Sequence, residues 1–352
     1  MRRARRFLLW LTLAGIVVAA TGTMGEIMVR LLAPQELSGT WLTYGPRGLV
    51  LNKASSTAVH QQGPSVVSYR FNSLHQRGAE PPAAARRVLV LGDSFTFGWM
   101  LPEEQTYVGR LQVMADRRFG AGGFQFLNAG TGGWGAGDYL AYLELLGARV
   151  APQLVVIFVS YDDFQRALRH PLYVLEDNTL VERDLSRPSF EWKNLLSRSD
   201  FYNALLERSH LLQLLRRTAV LYFEAQRRAS YPAPAPAPAV TAEVPAAGTP
   251  EEPLERLGRA LLVRIKAWER ANATPVLLVT TGWPTFSYPW LADAARAAAL
   301  SFVDLSPAVR PAVLADPRRY EMASDGHPTA DGAELIATAA WSAVADSLAA
   351  LR

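Results

Sequence analysis

Among the five histidines of this 352-residue chain (His60, His75, His170, His210 and His327), only His327 has a carboxylate two positions earlier in a turn before a helical pattern. That carboxylate is Asp325, in Asp325-Gly326-His327-Pro328. A carboxylate so placed can fix the tautomer of an imidazole and stabilise its protonated form. Imidazole suits the work of a general base because its unperturbed pKa of about 6.5 lies near working pH. A serine hydroxyl needs such a base before it can attack an acyl carbon. Ser94 is the hydroxyl it would serve, in Gly92-Asp93-Ser94-Phe95 directly after the apolar run Val88–Leu91. The competing structural roles are a helix cap for Asp325 beside a surface His327, and a helix N-cap for Ser94.

Other residues with chemical potential have plainer readings. Asp93 supports the turn, and Asp331 falls on the first turn of the last helix, where negative charge is favourable. Trp99, Trp134 and Trp283 are core residues first, with a sugar-binding cleft as the second reading. Gly130-x-Gly132-x-x-Gly135 matches a dinucleotide fingerprint, which expects an acidic residue ~20 positions later at a strand end. Gln153 stands there and starts a strand instead. No cluster has metal-ligand spacing and there is no cysteine, so neither a metal nor a cofactor is expected, and disulfides and a lipidated cysteine are excluded.

These residues need a frame. The apolar runs Val88–Leu91, Phe124–Leu127, Leu154–Val159, Val276–Thr280 and Phe302–Leu305 have the character of buried parallel strands. Between them lie helical patterns. Leu254, Leu257, Leu261, Ile265 and Trp268 share one helix face, and Ile336, Ala340, Val344 and Leu348 share another. Strands alternating with helices predict a parallel sheet covered on both faces. In such folds ligands sit beyond the carboxyl ends of strands. That is where Gly92–Phe95, Asn128–Gly135 and Tyr161-Asp162-Asp163-Phe164 fall.

Taken in order, these segments resemble the SGNH (GDSL-like) hydrolase superfamily. Gly92-Asp93-Ser94 is similar to its first block, Asn128 to Gly135 to its second, and Asp325-x-His327 to its last. Tyr69-Arg70-Phe71-Asn72-Ser73-Leu74 resembles the lead-in of exported members. The resemblance implies a flavodoxin-like three-layer α/β sandwich with a parallel sheet of about five strands. It implies Ser94 as nucleophile, with His327 and Asp325 completing a triad. It also implies an oxyanion hole from Ser94, Gly133 and the block-three residue. A glycine at 133 lets backbone approach the substrate carbonyl where a Cβ would obstruct, so that its amide and that of Ser94 can hold the developing negative oxygen. The block-three residue is Asp162, where the superfamily usually has asparagine. A carboxylate only accepts hydrogen bonds. Either its surroundings hold it protonated, or it points away and leaves two amide donors, or the domain binds without turnover. Asp163 offers no relief, being a carboxylate too.

The N-terminus sets location. Arg2, Arg3, Arg5 and Arg6 precede an uncharged run of 19 residues, Phe7 to Gly25. This is near the ~20 residues that span a bilayer as a helix. Arginines before it predict a single-pass anchor over residues 1–30 in the inner membrane, with the catalytic domain on the periplasmic side. Val18-Ala19-Ala20 keeps a cleaved signal peptide as the rival. The net charge of +4 matches the four leading arginines, so the rest is near neutral and nucleic acid is not an expected partner. The remaining organisation is a loop-rich lead-in at 31–86, a hydrolase domain at 87–352, a mostly helical insertion at 164–230 and a proline-alanine linker at 231–253. In the insertion, Phe201, Leu205, Leu212, Leu215 and Tyr222 are expected to pack against the protein itself. The expected activity is an extracytoplasmic serine esterase acting on acyl esters, acetyl foremost, of a carbohydrate or lipid, with a small-molecule or glycan ester as partner. An O-acetyltransferase of exported polysaccharide and a non-catalytic carbohydrate-binding module are the alternatives. Oligomeric state is not legible.

Overall fold

The computed structural model describes residues 2–230, 252–285 and 288–351. The chain divides into two compact units. One gathers residues 1–40, 59–66 and 198–249, and the other residues 41–58, 67–197 and 250–352. Most of the proline-alanine stretch lies outside the described residues, and the expectation of an extended spacer falls there. Its expected last residue, Pro253, instead opens the helix Pro253–Asn272, where a residue without an amide proton costs no hydrogen bond.

The larger unit is built on a five-stranded parallel sheet. Its strands are β1 (Arg87–Leu91), β2 (Gln125–Asn128), β3 (Leu154–Val159), β4 (Val276–Thr280) and β5 (Ser301–Val303). They run in the order β2-β1-β3-β4-β5, which places a switch point between β1 and β3. The register pairs Leu89 with both Leu127 and Val155. Successive residues point to opposite faces. Leu89, Leu91, Val155, Ile157 and Leu278 join one core with the helices Ala136–Val150 and Pro253–Asn272. Val88, Val90, Val156, Phe158 and Val279 join the other with Tyr107–Phe119 and Ala330–Ala349. Both faces are dry, which is why the strands read as unbroken apolar runs. The second and last strands are shifted from the expected runs by one residue or more, as edge strands pair on one side only.

The 31–86 segment is richer in structure than expected. It contains Leu37–Ser38, Leu42–Tyr44, Val50–Asn52, Ser56–Gln62 and Ser65–Phe71 as strands. Within the last, Val67, Tyr69 and Phe71 are buried at period two while their neighbours are exposed. The polar partners of that alternation made the segment look loop-like. The expected insertion also starts differently. Asp163–Arg169 is a helix that buries Phe164 and Ala167 in the sheet's core, and Tyr173–Glu176 pairs antiparallel with Thr179–Glu182.

The smaller unit contains the N-terminal helix Arg2–Leu32, a span long and apolar enough to cross a membrane, with the helices Asp200–Leu206 and His210–Ser230. Of the expected apolar stripe Leu212 is partly covered, while other members stand in the open. Phe201 is 75% exposed and Leu215 57%. The strand Leu37–Ser38 pairs antiparallel with His60 and Gln61.

Phe158 is fully buried on the central strand β3. Phe158→Ala is expected to lower unfolding stability by about 3–5 kcal/mol, through lost transfer free energy and a cavity. Urea unfolding of the detergent-solubilised chain measures it, and a loss below about 1 kcal/mol would show that the site collapses around the smaller residue.

Candidate active site

Ser94 opens a four-residue helix, Ser94–Phe97, at the carboxyl end of β1. The preceding residue makes that turn. Asp93 has no exposure to water, and its Oδ1 accepts from the Phe95 amide at 2.9 Å and from the Ser160 hydroxyl at 3.1 Å. Its Oδ2 takes a hydrogen bond from the Arg166 guanidinium at 2.8 Å. Gly92 is obligatory for space, since a Cβ there would lie 1.8 Å from Thr96 Oγ1. The second glycine segment braces the same turn. Asn128 donates its side-chain amide to the Thr96 carbonyl at 2.8 Å and accepts from the Gly130 amide at 3.0 Å.

Arg77, which the sequence did not single out, braces it from the other side. It is buried and donates to the carbonyls of Phe97 at 2.5 Å, Gly98 at 2.7 Å and Leu101. The rings of Tyr69 and Phe97 lie over its guanidinium at 4.7 and 5.0 Å. Burial pulls Arg77 down to about 10, against the attraction of Tyr69 and of Glu103 and Glu104, so it stays charged at neutral pH.

His327 arrives from the other end of the domain. A turn closed by the Met322 amide on the His327 carbonyl (2.7 Å) and the Gly326 amide on the Met322 carbonyl (2.9 Å) presents it just before the last helix. Its Nε2 lies 2.8 Å from Ser94 Oγ, and its Nδ1 lies 3.0 Å from Asp325 Oδ1. The structure thus brings all three expected residues together. Burial alone raises the Asp325 pKa, but hydrogen bonds from the His327 backbone and side chain, and from the Trp99 indole, hold it below the usual carboxylate range. Trp99 also stacks on the imidazole, with centroids 5.8 Å apart at 27°. Phe95 lies against the ring at 5.3 Å.

Gly133 has φ +83°, a left-handed conformation that favours glycine, and nothing lies within 4 Å of where a Cβ would be. Among the described residues no acceptor takes the amides of Ser94 or Gly133.

Asp162 is turned to cations instead. Its Oδ1 lies 2.8 Å from Arg166 and its Oδ2 2.9 Å from Arg169. Both of its oxygens thus act as acceptors toward guanidinium groups. Arg166 also lies 3.6 Å from Asp163, which is buried and accepts from the Tyr139 hydroxyl and the Ser160 amide at 2.7 Å each. Burial and the nearby Asp93 push Asp163 well above the usual range, against the pull of Arg166. Burial works against the charge of Arg166, but Asp93, Asp163 and Asp162 together raise its pKa. Asp93, Asp162 and Asp163 come close enough to suggest a cation site, and the guanidinium of Arg166 supplies the positive charge among them. Arg166 was missed because its partners are three carboxylates on two strands' ends. Only its i,i+4 spacing from Asp162 and i,i+3 spacing from Asp163 was visible.

Trp134 and Trp283 are 1% and 2% exposed and line no cleft. Asp331 pairs with Arg319 at 2.7 Å on the first turn of the last helix.

A sequence profile of the GDSL-like lipase/acylhydrolase family matches residues 90–335, more than half of the chain. The chain belongs to the GDSL-like lipase/acylhydrolase family. It is an ester hydrolase by that membership. No curated protein matches the sequence. Among solved structures, LAE5, an alpha/beta hydrolase from the metagenome of Lake Arreo in Spain, is similar at 13% identity and a TM-score of 0.42, over 77% of this chain and 99% of that one. A two-domain esterase active on acetylated mannans, co-crystallised with mannopentaose, is similar at 17% identity and 0.40, over 75% of this chain and 50% of its own. An acetyl xylan esterase, AlAXEase, follows at 14% and 0.40, over 73% and 99%.

Two substitutions separate the roles of the acidic cluster. Arg166→Met leaves Asp93 as a buried, uncompensated charge and is expected to cost about 3–5 kcal/mol of stability, read by urea unfolding. A neutral result would mean that Asp93 is satisfied without it. Asp162→Asn is expected to change kcat on an aryl acetate by less than about tenfold. A missing oxyanion donor costs ~10²–10³, so a larger rise would place residue 162 in the hole after all.

Proposed function

We propose that this family member acts through an acyl-enzyme on Ser94. The observation that carries the reading is the 2.8 Å contact from Ser94 Oγ to His327 Nε2, with Asp325 3.0 Å from the opposite ring nitrogen. His327 takes the hydroxyl proton as Ser94 Oγ bonds to the ester carbonyl carbon. The carbonyl oxygen becomes an oxyanion, held by the Ser94 and Gly133 amides. Collapse expels the alcohol, which takes the proton from His327. A water, deprotonated by His327 in turn, resolves the acyl-enzyme. Asp325 stays ionised throughout, as its lowered pKa supports, and steadies the imidazolium. Asp162 has no donor role in this scheme.

The substrate we propose is an acyl ester, acetyl foremost, of a carbohydrate. Aromatic faces beside the site support this. Trp99 is partly exposed over His327, Trp41 lies 6.0 Å from Trp99, and Tyr161 is 38% exposed beside Phe95. Such faces stack on sugar rings. We further propose that Arg2–Leu32 is an uncleaved anchor in the inner membrane and that the hydrolase unit lies on its periplasmic side, a reading supported by the arginines that precede the apolar run.

The test is mass spectrometry of the chain after mixing with an aryl acetate. An acetyl adduct on Ser94 is expected. Ser94→Ala is expected to lose the adduct and at least about 10³ of the hydrolysis rate. Retained hydrolysis in that variant would overturn the assignment. Adding a glycan acceptor then reads whether the acetyl group goes to sugar rather than water.

A further inference from the structure

We propose that the exposed apolar face carried by Leu215 and Leu221 on the helix His210–Ser230, with Phe201 and Leu205 before it, is sunk into the surface of the same bilayer that Arg2–Leu32 enters. The inference rests on reading Arg2–Leu32 as a membrane anchor.

The smaller unit fastens this helix to the N-terminal one. Glu26 accepts hydrogen bonds from Ser209 Oγ at 2.8 Å, the His210 amide at 3.0 Å and the Leu211 amide at 2.9 Å. One carboxylate thus satisfies amides that a helix start leaves without partners. Arg30, one turn further on, bonds Glu26 at 3.1 Å and the Arg208 carbonyl at 3.0 Å. Gly25 provides the close approach, since a Cβ there would lie 3.1 Å from Leu211. Gly22, Gly25, Glu26 and Val29 are the partly covered positions of the N-terminal helix, one face at three- and four-residue spacing.

Leu211 therefore marks the side of His210–Ser230 that meets the N-terminal helix. At 100° per residue, Leu214, Leu215 and Leu221 fall with it in one arc of roughly 120°. Leu215 is 57% exposed and Leu221 56%, so the arc continues past the crossing without protein over it. Phe201 and Leu205, 75% and 41% exposed, extend the apolar surface. With Gly22, Ile27 and Leu211 they line an open groove of about 790 Å³, with Arg30 and Arg208 also on its wall. The exposed Arg217 lies off the apolar arc. An apolar arc flanked by arginines, aimed to the side of a spanning helix, is the pattern of a helix lying at a membrane interface. Apolar side chains enter the acyl region and guanidinium groups reach anionic headgroups. A stripe of this size left in water would be an association hazard.

The absence of native cysteine makes the test clean. Single-cysteine variants Val17→Cys, Leu215→Cys, Leu221→Cys and Arg217→Cys of the full chain are labelled with a nitroxide and reconstituted in vesicles of phosphatidylethanolamine and phosphatidylglycerol. Collision rates with oxygen, which concentrates in lipid, and with a water-soluble nickel chelate are then compared. The oxygen-to-nickel ratio is expected to be several-fold higher at 215 and 221 than at 217, and highest at 17. Ratios at 215 and 221 equal to that at 217, with 17 in lipid, would overturn this inference and leave the anchor standing. Shielding of 215 and 221 from both reagents would also overturn it, by showing a protein partner on the face. A water-like ratio at 17 would sink the anchor reading, and this inference with it.

Discussion

A carboxylate with no access to water sits one residue before Ser94, and much of the site follows from what Asp93 needs. A buried charge costs several kcal/mol unless it is paired and hydrogen-bonded. Asp93 meets that demand with the Phe95 amide, the Ser160 hydroxyl at the end of β3 and the Arg166 guanidinium. The first bond starts the short helix that aims Ser94. The second ties the ends of the two strands at the switch point. The third brings in an arginine that also donates to the Trp134 carbonyl, beside Gly133. One charge thereby sets the relative positions of the serine turn, the glycine segment and the third block.

The same arginine explains how a carboxylate is tolerated at position 162. Asp162 is drawn to Arg166 and Arg169, which neutralise its negative charge. The amides of Ser94 and Gly133 do not depend on side-chain identity, and among the described residues neither has an internal acceptor.

The imidazole side is built on different physics. His327 is held by a tight turn, by the indole of Trp99 stacked against it, and by Asp325 at its far nitrogen. Trp99 bears on both members of the pair, as a ring stacked on His327 and as a polar neighbour that lowers the Asp325 pKa. It belongs to the serine segment, five residues after Ser94, so the turn that carries the hydroxyl also packs against the imidazole.

The linear chain by itself determined the alternation of strands and helices, the buried runs of the sheet, and Ser94, Asp325 and His327. These are written in local periodicity and in residue types with few alternative uses. It also showed an N-terminal run that a bilayer could hold. Strand ends at the sheet's edges and the strands of residues 31–86 were less legible, because one-sided pairing and short alternation leave weak patterns. Only the tertiary structure decided which way Asp162 faces, that Arg77 and Arg166 brace the serine turn, and that Trp134 and Trp283 are core while Trp99 meets the imidazole. It alone showed that Phe201, Leu205, Leu215 and Leu221 are left exposed, and that Glu26 caps a helix 184 residues away. Charge pairing between distant segments depends on distance in space and on burial. Neither is recorded in spacing along the chain.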